Sequence, residues 1–589
     1  MDQPRPVRPA HRRDDEGLSF RSPPVGRPVA HRDRPARRKV ARASDPPHRS
    51  HPLLPALSRL LDEQPDLALT LAGTPFTVAE LDAASRRLAG FLADRVAPGD
   101  RVVILARNGR LALIAWWATT LCGGFVVPLN TSNRGPVLAH QVLDADPVAM
   151  ILEDEFVPVL DDALVGTGLR APVLVGAPVA GRPSSGLVPA WATEVIDFDA
   201  AVAEGSAVTT TPDLDAYATS HLIYTAGTTG PSKACMVSHG YVANMARQMH
   251  ENLGRHPGDV LWSAMPLFHM AAVGHVMGSL QLGSAMDVAQ RFSVRGFWDE
   301  ILRSRATMAA LMGSMLPMIV GAPESEAARK AFGQLRVVSG SPVTADLAAR
   351  WTERFGVERV GSGAYGLTEA ALITLTPPGG YRAGAAGKIN ESFEVRIVDE
   401  HDNPLPVGAV GEIVARPTRP AIMFNGYWRQ PERTLEVFRG LWFHCGDYGR
   451  LDEDGYLYFV DRGKDYLRRG GENISSFEIE GIVATHPTVG EVAVHAVPSP
   501  LAEDDLKVTV VPAPGAQIDP AELFEWLHPR IPRYAVPSHI EVRTELPKNA
   551  VGRILKRVLR EEGVTPQTWS TDPRAVTGTA VRAGAGEQA

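Results

Sequence analysis

YTAGTTGPSK, residues 224–233, is the stretch from which both fold and chemistry are read. Glycine, proline and hydroxyl residues precede a lysine. A loop of this kind turns backbone N–H groups and hydroxyls toward a polyanion, and the lysine adds a mobile positive charge. It is not a Walker A loop, which needs Gly-Lys-Ser/Thr, because Lys233 follows Ser232 and precedes Ala234. The apolar run at 221–224 reads as a short strand feeding the loop, which sets it apart from an ordinary surface turn.

Outward from this loop, strand and helix patterns alternate from about residue 70, the pattern of an α/β fold. Thr77-Val-Ala-Glu80 is a capping-box signature, followed by Leu81, Ala84, Leu88 and Leu92 at helical spacing. Residues 102–105 (VVIL) read as a buried strand. Between 411 and 458 the signals change to short strands and glycine turns. After about Asp461 the charge density rises and a smaller α+β unit follows, with strands at 491–498 and 507–512 and a helix starting at Asp519. The expected division is 1–50 as an extension, 51–461 as the large domain, 462–563 as the small domain and 564–589 as a tail.

Composition bounds the answer. The 589 residues are 44% hydrophobic and 22% charged, with a net charge of -7, which speaks against a nucleic-acid partner. Cys122, Cys235 and Cys445 lie far apart, with neither a disulfide framework nor zinc spacing, so a reducing, cytoplasmic setting is expected. Residues 1–50 are rich in Arg and Pro and poor in large apolar side chains; they are expected to be disordered, and they lack the apolar core of a secretory signal. The uncharged run LALIAWWATTLCGGFVVPL, 111–129, tempts a membrane assignment, but its threonines, Gly123-Gly124 and Pro128 predict a buried helix, a turn and a buried strand.

Two further segments carry weaker signals. GSGAYG, 361–366, satisfies G-x-G-x-x-G after a possible strand at 357–360, and it raises a nicotinamide oxidoreductase as the alternative from another class. The true fingerprint requires a helix opening at the third glycine and a closing βαβ unit; LTEAALITLTPPGG is too short and ends in a Pro-Pro turn. In FHCGDYGRLDEDGYLYFVDRGKD, Asp447 could hold a ribose diol and Arg462 a phosphate.

Together and in this order, YTAGTTGPSK, PLFH (266–269), SGSP (339–342), AYGLTE (364–369), Gly446-Asp447, DRGKD (461–465), GGENI (470–474) and LPKNAVGRILK resemble the adenylate-forming superfamily of acyl- and aryl-CoA synthetases, luciferases and peptide-synthetase adenylation domains. The resemblance covers about residues 51–563. SKACMVSH, YLRRGGENISSFEIE and VGRILK are most similar to the crotonobetaine/carnitine-CoA ligase-like branch. It implies a large domain of two packed sheet-helix layers plus a small β-barrel-like subdomain, with a small mobile α+β domain behind. It implies ATP, Mg²⁺ and CoA as cofactors and a small carboxylic acid as substrate. The loop residues Thr225, Gly227, Thr228, Thr229, Gly230 and Lys233 would embrace the terminal phosphates. Thr368 would touch a phosphate oxygen and Glu369 would hold Mg²⁺, as suits a hard cation. Tyr365, Gly366 and Ser339-Gly340-Ser341 would line the adenine slot, Asp447 and Arg462 the ribose and phosphate. His269 would close the carboxylate pocket; its rival reading is a satisfied core histidine. Lys464 would be the hinge, with Gly470 and Gly471 on the thiolation face.

The family's adenylation lysine directly follows the glycine of the last motif. Here that position holds Arg553, which keeps the charge but replaces a point-like ammonium with a planar fork. Arg553, Lys556, Arg557 and Arg560 are spaced as one basic helix face; Arg553 is the first candidate for the catalytic cation and Lys556 the reserve. Ala226 and Ala234-Cys235 also depart from the family pattern. The acid is not legible, although methionine-rich MPLFHMAAVGHVMGSL and TMAALMGSMLPM suggest an apolar, adaptable cavity. Other acids such as nitrite, loading of a carrier protein in place of CoA, and a homodimer remain open readings; neither nucleic acid nor membrane is expected as a partner.

Overall fold

The computed structural model describes residues 54–571 apart from 177–187, 211–213, 226–231, 314, 342, 377–378, 383, 463–465, 470–471, 499–503, 529, 532–534, 550–551 and 553. Two seven-stranded sheets carry the large part of the chain. One runs, in spatial order, Ala192–Asp197, Ala171–Gly176, Ala149–Glu153, Arg101–Leu105, Phe125–Pro128, Thr219–Thr225 and Lys233–Ser238. Its neighbours are parallel until the last pair, an antiparallel hairpin. The other runs Arg359–Val360, Val337–Ser339, Met308–Ala310, Val260–Ser263, Ala285–Val288, Ala68–Leu71 and Thr74–Thr77, again parallel until a closing antiparallel pair. Parallel neighbours need crossovers long enough to hold a helix, which is why the alternating pattern is legible in the sequence.

The side-chain period of two places each strand in two cores. Val102 and Ile104 enter a central core, whereas Val103 and Leu105 enter a separate core on the other face. The central core takes side chains from both sheets and from the helices Val78–Leu92, Arg110–Leu121, His239–Leu253 and Met270–Leu282. These helices therefore lie between the sheets. The first begins at the expected capping box: Thr77 Oγ1 accepts from Glu80 N at 3.1 Å and Glu80 Oε2 accepts from Thr77 N at 2.8 Å. In the Arg110–Leu121 helix every residue from 111 to 121 is buried, so apolar side chains all round reflect burial, not lipid. Thr119 and Thr120 donate to the Ala115 and Trp116 carbonyls. Its 12 residues rise roughly 18 Å, short of a bilayer. Among the described residues no helix is long and apolar enough to cross a membrane.

A five-stranded antiparallel sheet follows, from Phe393–Val398, Gly411–Pro417, Phe438–Arg439, Trp442–Leu451 and Leu457–Arg462. Its Leu457–Arg462 strand also meets the 386–387 segment, with Ala386 N donating to Leu457 O and Leu457 N to Gly387 O. The C-terminal part has its own sheet, Val489–Pro498, Asp504–Pro512, His539–Val542 and Trp569–Ser570, and its own core around Ile479, Val494, Val508, Leu523 and Ile540. Asp519 caps the helix Pro520–Leu527, as its sequence predicts.

Two expectations need correction. The strand expected at 357–360 pairs only at Arg359–Val360. The basic helix starts at Lys556, not at 553, and ends at Glu562. The chain before it is a hairpin: Lys548 bridges Ile554, and Leu555 N donates to Pro547 O at 2.7 Å. Gly552, at φ +78°, makes that turn. Residue 553 lies outside the described residues, so of the expected basic face the helix holds Lys556, Arg557 and Arg560.

Candidate active site

The strand ends on either side of 226–231 are held in place. Thr225 pairs with Lys233 in the hairpin register. Before the loop, Tyr224 OH donates to Asp144 Oδ2 at 2.8 Å and to Gln141 O at 2.9 Å. After it, Gln141 Nε2 donates to Ser232 Oγ at 3.0 Å, and His140 Nε2 lies 2.9 Å from Ser232 O. All these partners sit on the helix Gly135–Ala145. Gly227, Thr228, Thr229 and Gly230 lie outside the described residues.

A second segment runs beside the strand that carries Lys233. Asn425 N donates to Met236 O, Met236 N to Gly426 O, and Trp428 N to Ala234 O. Gly426 has φ +105°, and an added Cβ would meet Thr434 Cγ2 at 3.0 Å, so only glycine takes the bend comfortably. The result places Tyr427, which is buried, between two half-buried charged side chains. Lys233 Nζ lies 4.1 Å from the Tyr427 ring centroid, and Tyr427 OH donates to Glu369 Oε1 at 2.8 Å. Burial, then the Glu369 charge, push the phenol well above its ordinary range, so it keeps its proton.

Thr368 and Glu369 sit at the tip of a tight hairpin between Gly366–Leu367 and Ala371–Leu372. A Cβ on Gly366 would lie 1.9 Å from Ala371 O, which makes that glycine a packing requirement. Gly361 and Gly363 have positive φ, and a Cβ on Gly363 would meet Thr376 Oγ1 at 2.2 Å. The GSGAYG glycines thus permit close backbone approach; a two-residue strand follows the third, and no helix opens there. The oxidoreductase fingerprint fails on this geometry.

Tyr365 OH donates to Asp447 Oδ2 at 2.7 Å, and both are buried. Burial, then Cys445 and Asp447, raise the phenol far above its usual range. Burial, then the Asp447 charge, push the Cys445 thiol well above its ordinary range. Gly446 N donates to Glu412 Oε1 at 3.3 Å, which holds the turn before Asp447. Arg462 is opposite Asp447 in the ladder, though its side chain lies outside the described atoms. Ser339 ends its strand and Gly340 O accepts from Ser362 N at 2.8 Å, which ties 339–341 to the segment leading into Tyr365. Ser341 is exposed.

His269 is not a core histidine. It caps the helix Met270–Leu282 through Nδ1, which accepts from Ala271 N at 3.2 Å, and its side chain is open to solvent. Beside it, Leu267 and Phe268 line a cavity of about 20 Å³ with Trp116, Leu129 and His221. The methionine-rich stretches serve the core in part: Met270, Met277, Met308 and Met315 are buried, while Met312 and Met318 face solvent. Lys556 is engaged inside the small unit, 2.9 Å from Glu480 Oε1 and donating to Ser476 Oγ at 2.6 Å. Arg557 pairs with Glu561 on the solvent side. Lys464, Gly470, Gly471 and Arg553 lie outside the described residues.

Sequence reasoning missed Tyr427. The signal was Asn425-Gly426-Tyr427 followed by Pro431, a glycine bend before a helix start, but what the ring touches depends on chain segments far apart. The group fits a magnesium nucleotide: one carboxylate beside one lysine suits Mg²⁺ carried on phosphates.

Comparison with known proteins agrees. Residues 59–428 match the AMP-binding enzyme family and 478–553 match the AMP-binding enzyme C-terminal domain. A feruloyl-CoA synthase from Amycolatopsis sp is 34% identical over 500 residues, 84% of this chain and 95% of that protein. A crotonobetaine/carnitine–CoA ligase from Salmonella choleraesuis (strain SC-B67) is 28% identical over 494 residues, 82% of this chain and 93% of that protein. The solved structure of ATP-bound MatB from Rhodopseudomonas palustris aligns with a TM-score of 0.74 at 29% identity, covering 86% of this chain and 98% of that one. The chain belongs to the AMP-binding enzymes. It is an ATP-dependent, AMP-forming acid–CoA ligase that uses ATP, Mg²⁺, a carboxylic acid and CoA.

Proposed function

We propose that the acid is aryl or otherwise apolar and that CoA, not a carrier protein, receives the acyl group. In the first half-reaction a carboxylate oxygen attacks the α-phosphorus, the acyl–phosphate bond forms and pyrophosphate leaves. In the second, the thiol sulfur attacks the acyl carbonyl and AMP leaves. Lys233 offsets charge on the departing pyrophosphate, and Glu369 would hold Mg²⁺, which when bound would supply further neutralisation. Thr368 and the 225–230 loop bind phosphate oxygens. Tyr365 with residues 339–341 binds adenine, Asp447 and Arg462 bind ribose and phosphate, and His269 gates the carboxylate. Arg553 supplies the first-step cation. The hinge is Lys464, between a domain of 51–461 and one of 462–563, and Gly470-Gly471 admit the thiol arm in the second step.

The observation that carries the nucleotide reading is the convergence of Lys233 and Glu369 on one tyrosine, next to the Tyr365–Asp447 pair. The aryl reading is supported by the 34% identity to the feruloyl-CoA synthase and by the absence of Asp, Glu, Lys or Arg from AMPLFHMAAV, 264–273. An acid with a fixed charge would want a counter-charge there. The test is AMP and pyrophosphate release by the full chain across cinnamic, benzoic, aliphatic and betaine acids, with and without CoA, and with nitrite. Cinnamic-type acids should give CoA-dependent AMP. Lys233→Ala and Glu369→Ala should each cost about 10²-fold or more in rate. Wild-type rates in those variants would sink the site, and turnover with betaines or nitrite alone would sink the substrate class.

A further inference from the structure

We infer that Tyr427 is a positioning residue that keeps Lys233 and Glu369 from neutralising each other before the nucleotide arrives. The inference rests on the roles given above to those two residues, but it concerns a third side chain with a separate readout.

The site poses a physical problem. A lysine meant for a triphosphate and a carboxylate meant for its metal are opposite charges close to one another in a half-buried setting. Left alone they would form an ion pair, and each would have to break it before acting. Among the described residues neither has an ion-pair partner within 4.0 Å. Both are instead satisfied by one aromatic ring. The ammonium rests over the π-face at 4.1 Å, where the ring quadrupole attracts a cation without quenching its charge. The carboxylate accepts the hydroxyl hydrogen at the ring's far end, 2.8 Å away. The carboxylate is oriented by that donor, with the Cys235 thiol also beside it, and its two oxygens keep acceptor capacity for a metal.

The ring cannot easily leave. Tyr427 is 4% exposed and packs edge-on against Phe424 at 5.1 Å. Its backbone N–H is held by Thr434 Oγ1 at 2.9 Å, and it bridges Cys235 across the strand that begins at Lys233. Phe424 N in turn donates to Glu369 O at 2.9 Å, so the same segment fixes the Glu369 backbone. A rigid spacer between two mobile charges lets the lysine swing to phosphate for the modest cost of leaving a π-face, whereas leaving a carboxylate would cost more.

The two ends of the ring can be separated by substitution. Tyr427→Phe keeps the face and loses the hydroxyl. Tyr427→Leu loses both and opens the path for Lys233 to reach Glu369. In acid-dependent AMP formation by the full chain, Tyr427→Phe should raise the Mg²⁺ concentration for half-maximal rate by about tenfold, with ATP KM at saturating Mg²⁺ within about twofold of wild type. Tyr427→Leu should add an ATP KM increase of about tenfold or more. If Tyr427→Phe leaves the Mg²⁺ dependence unchanged, or if it lowers kcat alone with both half-saturation values unmoved, the spacer role is wrong. Should Tyr427→Leu fail to fold, by thermal unfolding, the Phe variant alone still decides. Failure of the underlying roles would show separately, as wild-type activity in Lys233→Ala or Glu369→Ala.

Discussion

Lys556 and Arg553 separate the two ways a cation can matter. Lys556 is the rival for the proposed catalytic position because it follows Arg553 at helical spacing, and its surroundings bear on that proposal. It is bound to Glu480 and Ser476 within the small unit, a task that consumes its charge. Arg553 follows Gly552 in the sequence and lies outside the described residues; it is the proposed first-step cation. Arg553→Ala should therefore depress acid-dependent pyrophosphate exchange by about 10²-fold and spare thiolation of a supplied acyl-adenylate. Arg553→Lys should retain or raise exchange. Pyrophosphate exchange and thioester formation, measured separately, check this; a silent Arg553→Ala alongside a dead Lys556→Ala would reverse the assignment.

At the scale of elements, the Lys556–Glu562 helix is pinned to its sheet by buried charge. Lys507, 1% exposed, donates to Glu541 and to Gly563 O just past the helix end. Glu541 also accepts from Arg543, Thr565 and Thr568. Burial alone would raise the Glu541 carboxyl, but the Lys507 and Arg543 hydrogen bonds prevail and hold it at about 2. Its folded value lies below its ordinary 4.5, so its contribution is present above about pH 4.5 and is lost as pH falls toward 2. Acid unfolding of the small unit should steepen in that window, and Glu541→Gln should flatten it. Lys556→Met, which removes the cation beside Glu480 while Val494 N still donates to it, should lower stability by about 1–3 kcal/mol at neutral pH, measured by denaturant unfolding.

For the whole molecule, the C-terminal sheet has a core of its own, and a hinge at Lys464 is a proposal that an experiment can decide. Lys464→Pro would fix φ at the proposed hinge. One half-reaction should fall much further than the other, read by pyrophosphate exchange against thioester formation from adenylate. Equal loss in both would argue against rotation.

The local facts of this protein were legible in its sequence because their causes are local. The Thr77–Glu80 cap, the buried run at 111–121, the strand into the phosphate loop and the Asp519 helix start each follow from side chains within one or two turns of the chain. Motif order likewise pointed to the adenylate-forming class. What only the tertiary structure decided are meetings between distant segments: Tyr427 between Lys233 and Glu369, Tyr365 against Asp447, and Lys556 against Glu480. Even the helix start at Lys556 was set this way. The segment before it spends its backbone groups on a hairpin with 547–548, and a run that satisfies its N–H and C=O groups elsewhere does not join a helix, whatever the spacing of its charges.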